Sequence, residues 1–195
     1  MILNDINVLS QSIFRNLIES IACPGKIINL SLKNLNIISE YERCLFGICR
    51  TLFDHETTFC LIGNKTNEAI IEEVFKLTKA RYTTIEDAEY IIVYGGSDGM
   101  SLLTANPGNL LYPDKGATIL YKVSSLTDNK GINLMLEGPG IEDKIELSIN
   151  GVLKTDIEII KQINTEFPLG LDTIFIDDDD NITSIPRSSK ITIKG

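Results

Sequence analysis

The sequence predicts an α/β fold with a mixed sheet and helices on both of its faces. Stretches with helical apolar spacing alternate with short apolar runs through residue 94, and the second half turns into strand-like runs separated by Gly, Asn and Asp. No internal repeat, low-complexity tract or long linker divides the 195 residues, so residues 1–195 read as a single domain. With 43% hydrophobic residues the chain has enough apolar material for a core.

The first element is a helix, because Ile6, Leu9, Ile13, Leu17 and Ile21 recur every three or four residues, and Phe14 and Ile18 widen the stripe. Cys23-Pro24-Gly25 ends it. Tyr41, Cys44, Leu45, Ile48, Cys49 and Leu52 repeat the spacing in a second helix. Thr57 to Ile62 is an apolar run of strand length closed by Gly63-Asn64. Thr66 or Asn67 then caps a helix with Ala69, Ile70, Val74 and Leu77 on one side, and Glu89 to Tyr94 forms the next inner strand.

Thr118 to Val123, Ile132 to Leu136 and Lys144 to Ile149 follow as successive strands, which suggests antiparallel pairing. Thr155 or Asp156 caps a helix bearing Ile157, Ile160 and Ile163. Phe167-Pro168-Leu169-Gly170 breaks that periodicity, and Thr173 to Ile176 resumes strand character. The acidic run Asp177 to Asp180, between TIFI and ITSI, reads as a solvated hairpin turn without the Gly and Glu offsets of a calcium loop.

Composition excludes several classes of function. Gly (14), Pro (6) and 23% charged residues rule out collagen-like, disordered and disulfide-scaffold chains. No apolar run approaches the roughly 18 residues of a spanning helix, and MILNDINVLS lacks the basic cluster of a signal peptide, so a cytoplasmic protein is expected. The net charge of −9 opposes binding to nucleic acid or anionic membrane surfaces.

Four cysteines, Cys23, Cys44, Cys49 and Cys60, read as reduced thiols packed like small hydrophobes. Three of them bracket His55, the one histidine, but no C-x-x-C element is present. On a helix, Cys44 and Cys49 stand about 140° apart and do not converge on one ion. No metal site is assigned.

No self-contained catalytic constellation emerges. Gly95-Gly96-Ser97-Asp98-Gly99 follows a strand, where phosphate-cradling turns sit, yet matches neither glycine fingerprint. Gly138-Pro139-Gly140 reads as a turn. No G-x-S-x-G elbow accompanies His55. Asp54, His55 and Glu56 form the densest acid-base cluster, with two readings: a catalytic or binding role, or alternating side chains on an edge strand. Arg15 and Arg187 stand beside structural stops and fit either an anionic ligand, a partner surface or an orienting salt bridge.

Taken in order, the punctuated motifs resemble the PhnH family, the H subunit of the bacterial carbon-phosphorus lyase system of phosphonate breakdown. The resemblance spans nearly the whole chain. It is carried by Gln11, Phe14, Arg15 and Leu17 leading to Pro24-Gly25, by FDHETTF (Phe53 to Phe59), and by Pro107-Gly108 with Leu110, Pro113 and Gly116-Ala117-Thr118. Gly138-Pro139-Gly140-Ile141, Asn164 with Phe167-Pro168-Leu169-Gly170-Leu171-Asp172, and Ile185-Pro186-Arg187-Ser188-Ser189 complete it.

The resemblance implies a three-layer α/β/α fold similar to the main domain of pyridoxal-phosphate-dependent transferases, without the cofactor lysine and without a cofactor. It implies work beside the G, I and J subunits, in an assembly that joins ATP to methylphosphonate, releases adenine and forms α-D-ribose 1-methylphosphonate 5-triphosphate. The I subunit is then the chemical centre, and this chain a non-catalytic or co-catalytic subunit with no catalytic residue of its own. Soluble oligomers are most often symmetric dimers, so self-pairing is expected when partners are absent. Two alternatives stand: an independent pyridoxal-phosphate transferase using Lys115, Lys122 or Lys144, and a nucleotide-binding regulator using residues 95–99.

Overall fold

A computed structural model of the chain describes residues 2–32, 42–63, 67–94 and 99–194. Helix α1 (Ile2–Ala22) leads to strand β1 (Ile28–Asn29), then α2 (Arg43–Leu52), β2 (Thr58–Ile62), α3 (Asn67–Thr78), β3 (Arg81–Tyr82), β4 (Tyr90–Tyr94) and β5 (Thr118–Lys122). The second half runs β6 (Ile132–Glu137), β7 (Ile145–Ile149), α4 (Lys154–Ile163), β8 (Asp172–Ile176), β9 (Asn181–Ile185) and β10 (Lys190–Ile193).

The main sheet has seven strands in the order β1-β9-β8-β5-β4-β2-β3. Strands β3, β2, β4, β5 and β8 are parallel, and β9 turns back antiparallel on β8, which makes the sheet mixed as expected. Alternation along the strands sorts two apolar clusters onto its faces. Ile92, Leu120, Ile174 and Ile176 pack with α1, α2 and α3 through Ile13, Leu17, Ile48, Ile70 and Val74. Ile91, Val93, Ile119, Tyr121 and Phe175 pack on the other face with Ile157 and Ile160 of α4 and with Leu134, Leu136 and Leu147. Helices therefore lie on both faces.

The expected antiparallel succession of residues 118–149 needs correction. Strands β6 and β7 do pair antiparallel, Leu134 opposite Leu147, but with β10 they form a separate three-stranded sheet. Strand β5 instead lies between β4 and β8, parallel to both. Its Ile119, Leu120 and Tyr121 are fully buried, the pattern of a strand covered on both faces.

Two helix details also differ. On α1 the stripe is narrower than its apolar spacing, since Ile13 and Leu17 are buried while Phe14, Ile18 and Ile21 are exposed. The inner face is completed by Ser20, whose hydroxyl bonds that of Ser184 on β9 at 2.7 Å. Leu153, not Thr155 or Asp156, occupies the position before α4. Asp156 is buried in the first turn and accepts a hydrogen bond from the Tyr121 hydroxyl. The proposed Thr66 cap and the glycine turn at residues 95–98 lie outside the described residues.

Candidate functional site

The carboxyl ends of parallel strands are where open α/β sheets bind ligands, and here that edge is built around Lys122. This residue closes the TILYK run of β5 and is 6% exposed. Its ammonium donates to Asp178 Oδ1 at 2.6 Å and lies 3.1 Å from Glu42 Oε2. Burial acts to lower its pKa, but the hydrogen bond to Asp178 and the charges of Glu42 and Asp178 outweigh it and hold the group above the ordinary lysine value. An open cleft of about 380 Å³ adjoins Lys122, floored by Tyr94, Ser124 and Gly151 to Leu153.

The acidic run beside it is the expected hairpin turn, but only Asp178 and Asp179 of it are solvated. It does connect β8 to β9, but Asp177 and Asp180 are each only 1% exposed. Asp177 accepts hydrogen bonds from the backbone N–H groups of Leu126, Asp179 and Asn181 and from the Asn181 amide. Asp180 accepts from the Leu32 N–H at 3.1 Å and from Arg43 Nε at 2.7 Å, joining the turn to the segment after β1 and to α2. Buried carboxylates persist when every lone pair finds a donor of this kind. The donors come from segments distant in sequence, which is why the run looks solvated when read alone.

Of the three candidate lysines, Lys122 is held protonated by two carboxylates, which opposes the readily deprotonated state a Schiff-base lysine needs. Lys115 is exposed, and Lys144 pairs with Glu137 at 3.2 Å.

The amino ends of the same strands carry a second construction, centred on Arg187. Its side chain is 13% exposed. Nη2 and Nε donate to Asp172 Oδ2 at 2.6 and 3.0 Å, its backbone N–H donates to Asp172 Oδ1, and Nη1 donates to Pro113 O at 2.6 Å. One guanidinium thus ties the exit of β9 to the start of β8 and to the turn before β5. Asn164 adds a two-way bond to the Leu171 backbone, and the Gly170 N–H donates to Pro107 O at 2.9 Å. At Gly116 a Cβ would come within 2.6 Å of Gly170 O, so only glycine lets these segments approach.

Residues 3–192 match the family described as a bacterial phosphonate metabolism protein, PhnH. The chain belongs to the PhnH family. It is 28% identical over 187 residues to the putative C-P lyase subunit protein HtxG of Stutzerimonas stutzeri, spanning 95% of this chain and 87% of that protein. It is 25% identical over 188 residues to the α-D-ribose 1-methylphosphonate 5-triphosphate synthase subunit PhnH of Rhizobium meliloti strain 1021, spanning 93% of this chain and 90% of that one.

The motifs of this PhnH chain converge on the amino edge. Pro107, Gly108, Pro113, Gly116, Gly170, Asp172, Pro186 and Arg187 belong to the Arg187 construction, and Pro168 lies in the turn leading into it, after a cis peptide bond. Pro24 meets Gly140 in a neighbouring junction, while Gly25 faces Ile145 and Leu136 and Gly138 faces Ser188 and Ser189. There the Gly25 N–H donates to Ser184 O, and a Cβ on Gly140 (φ +83°) would lie 2.9 Å from Pro24 Cδ.

Asp54, His55 and Glu56 are not on a strand. They form the turn between α2 and β2, in which Asp54 Oδ1 accepts from the N–H groups of Glu56 and Thr57 and from the Thr57 hydroxyl. The first of these bonds, with those from Thr57, holds the Asp54 carboxyl below the ordinary value. Asp54 is thereby the turn's internal cap, and His55 stands 77% exposed.

Arg15 is exposed on α1 and makes no ion pair among the described residues. Cys44, Cys49 and Cys60 are buried in the two cores, far from a shared ligand geometry with His55. Burial pushes the Cys60 thiol up to about 12 and raises the other two as well. Sequence reasoning missed Glu42, Asp178 and the role of Lys122. A lone lysine closing an apolar strand was the available signal for the last.

Proposed function

We propose that this chain is a subunit of a carbon-phosphorus lyase assembly, supporting the formation of α-D-ribose 1-methylphosphonate 5-triphosphate from ATP and methylphosphonate with release of adenine. It acts without a catalytic residue of its own. The observation that carries this reading is the match to the PhnH family over residues 3–192, and the relatives named as subunits lend it the assembly and the reaction. The motif residues support the non-catalytic part, because they fasten backbone segments together, and the acids among them are engaged in that fastening, Asp172 by Arg187 and Asp54 by the N–H groups of its own turn.

The G, I and J subunits are the proposed partners, the I subunit supplying the chemistry. Residues 1–195 act as one unit in the cytoplasm, and the fold is that of a pyridoxal-phosphate transferase main domain that has lost its lysine. A homodimer forms only where partners are absent. The test is adenine release from ATP and methylphosphonate by the reconstituted subunits with this chain included or omitted. Product that disappears on omission, with none from the chain alone, is the expected result. Undiminished product without the chain overturns the reading.

A further inference from the structure

The loop before β5 presents its apolar side chains outward. Leu110, Leu111 and Tyr112 are 78%, 84% and 58% exposed, and Leu110 and Leu111 occupy the centre of a tight turn, where polar residues usually stand. The turn is closed by Asn109 and Tyr112, which exchange backbone hydrogen bonds at 3.3 and 3.0 Å. Asn109 Oδ1 also accepts from the N–H groups of Leu111 and Tyr112 at 3.0 and 2.9 Å. Below it, the bond from Arg187 to Pro113 O anchors the loop to β8 and β9. The leucines are therefore held out on a braced support, so seating them costs little conformational entropy.

The flank of this knob is acidic. A recess of about 260 Å³ separates Asp114 and Lys115 from Thr57, Glu89 and Tyr90. Asp54 and Glu56 lie on the turn beside Thr57, and Arg81 donates to the Glu56 carbonyl at 3.2 Å. Asp114 and Glu89 line the recess with Lys115, and Asp54 and Glu56 stand with Arg81 on the neighbouring turn, so acids outnumber cations around it, on a chain whose net charge is −9. A twofold contact with a second copy through this face would set acid against acid.

We propose that the Asn109–Tyr112 turn is the docking knob of the chain, and that its occupant is a different subunit offering an apolar pocket edged by Lys or Arg. This rests on the subunit reading and assigns it a surface. Two exposed leucines entering one pocket would remove apolar surface from water, Tyr112 beside them is of a residue type enriched among interface anchors, and the acidic rim adds attraction that salt weakens.

The experiment measures the dissociation constant of the full chain for the preassembled G, I and J subunits at low and high salt. It compares the wild type with Leu110→Ser/Leu111→Ser, and with Ile18→Ser on the exposed face of α1. Thermal unfolding checks each variant, and Leu111→Gln replaces the double variant if that one is unstable. The expected result is binding by the wild type, weakened by salt, and roughly 100-fold weaker in the double variant, with Ile18→Ser within a few-fold. Equal binding by wild type and double variant overturns the knob and leaves the subunit reading standing. No binding by the wild type overturns the subunit reading itself. A wild-type dimer that the double variant dissolves, with partner binding unchanged, makes the occupant a second copy and contradicts the proposal.

Discussion

At the carboxyl edge of the seven-stranded sheet, Lys122, Glu42 and Asp178 surround an open cleft beside a buried acidic turn. At the amino edge, Arg187, Asp172, Asn164 and a set of glycines and prolines lock three loops together. In open α/β folds the first edge ordinarily holds the ligand. Here many of the residues that carry the family resemblance, from Pro107 to Gly116 and from Asn164 to Arg187, sit at the second. The contrast teaches that the motif preserves a shape, in which backbone segments meet too closely for side chains, and a braced loop is aimed outward from it.

Removing the amino-edge tie should have the largest effect. Arg187→Ala takes the guanidinium away from Asp172 Oδ2 and Pro113 O, while Asp172 Oδ1 keeps the backbone N–H of residue 187, which costs about 3 kcal/mol and lowers the melting temperature by roughly 6–12 °C. Arg187→Lys restores charge but not the fork, and calorimetry should place it between the two. A shift under 2 °C for Arg187→Ala would dissolve the contrast between the edges.

Lys122→Met probes the opposite edge. The expected cost is about 1–3 kcal/mol, because Glu42 loses its cation while Asp178 stays largely in water. The sign with pH is fixed by its raised pKa. Lys122 contributes stability that is present below the ordinary lysine value of about 10.4 and is lost as pH rises through its higher folded value. Denaturant titrations above pH 10 should therefore cost the wild type more stability than Lys122→Met.

Asp54→Asn sharpens the comparison within the amino edge. Its lowered folded pKa gives stability present above the ordinary aspartate value, roughly 3.9, and lost as pH falls through the lower folded one. Acid titration of the variant should show a shallower fall in stability than the wild type, a small effect for an exposed group.

The smallest effect concerns the thiols. Ellman's reagent should label half-buried Cys23 in the folded chain, while Cys44, Cys49 and Cys60 react only on unfolding, because burial keeps them protonated. Prompt labelling of all four would mean that the cores open more readily than their packing implies.

Much of this was legible in the sequence. The spacing of Ile13 and Leu17, of Leu45 and Ile48, and of Ile70 and Val74 marks three helices, and the runs Thr57 to Ile62, Glu89 to Tyr94 and Thr173 to Ile176 mark inner strands, each within a residue of the observed bounds. Strands β1 and β3 are two residues long and carry no period to read. Whether β5 pairs with β6 or with β8 depends on partners more than 50 residues away. The burial of Asp177 and Asp180 depends on N–H groups supplied by Leu126 and Leu32. Leu110 and Leu111 were visible as apolar residues, but only the turn that Asn109 closes turns them outward.

The most direct test of the account is amide hydrogen exchange of the chain alone and within the reconstituted assembly. The account predicts new protection at residues 107–116, with residues 122–126 and 177–181 unchanged. Protection confined to the carboxyl edge around Lys122 would contradict it and make the open cleft the working surface.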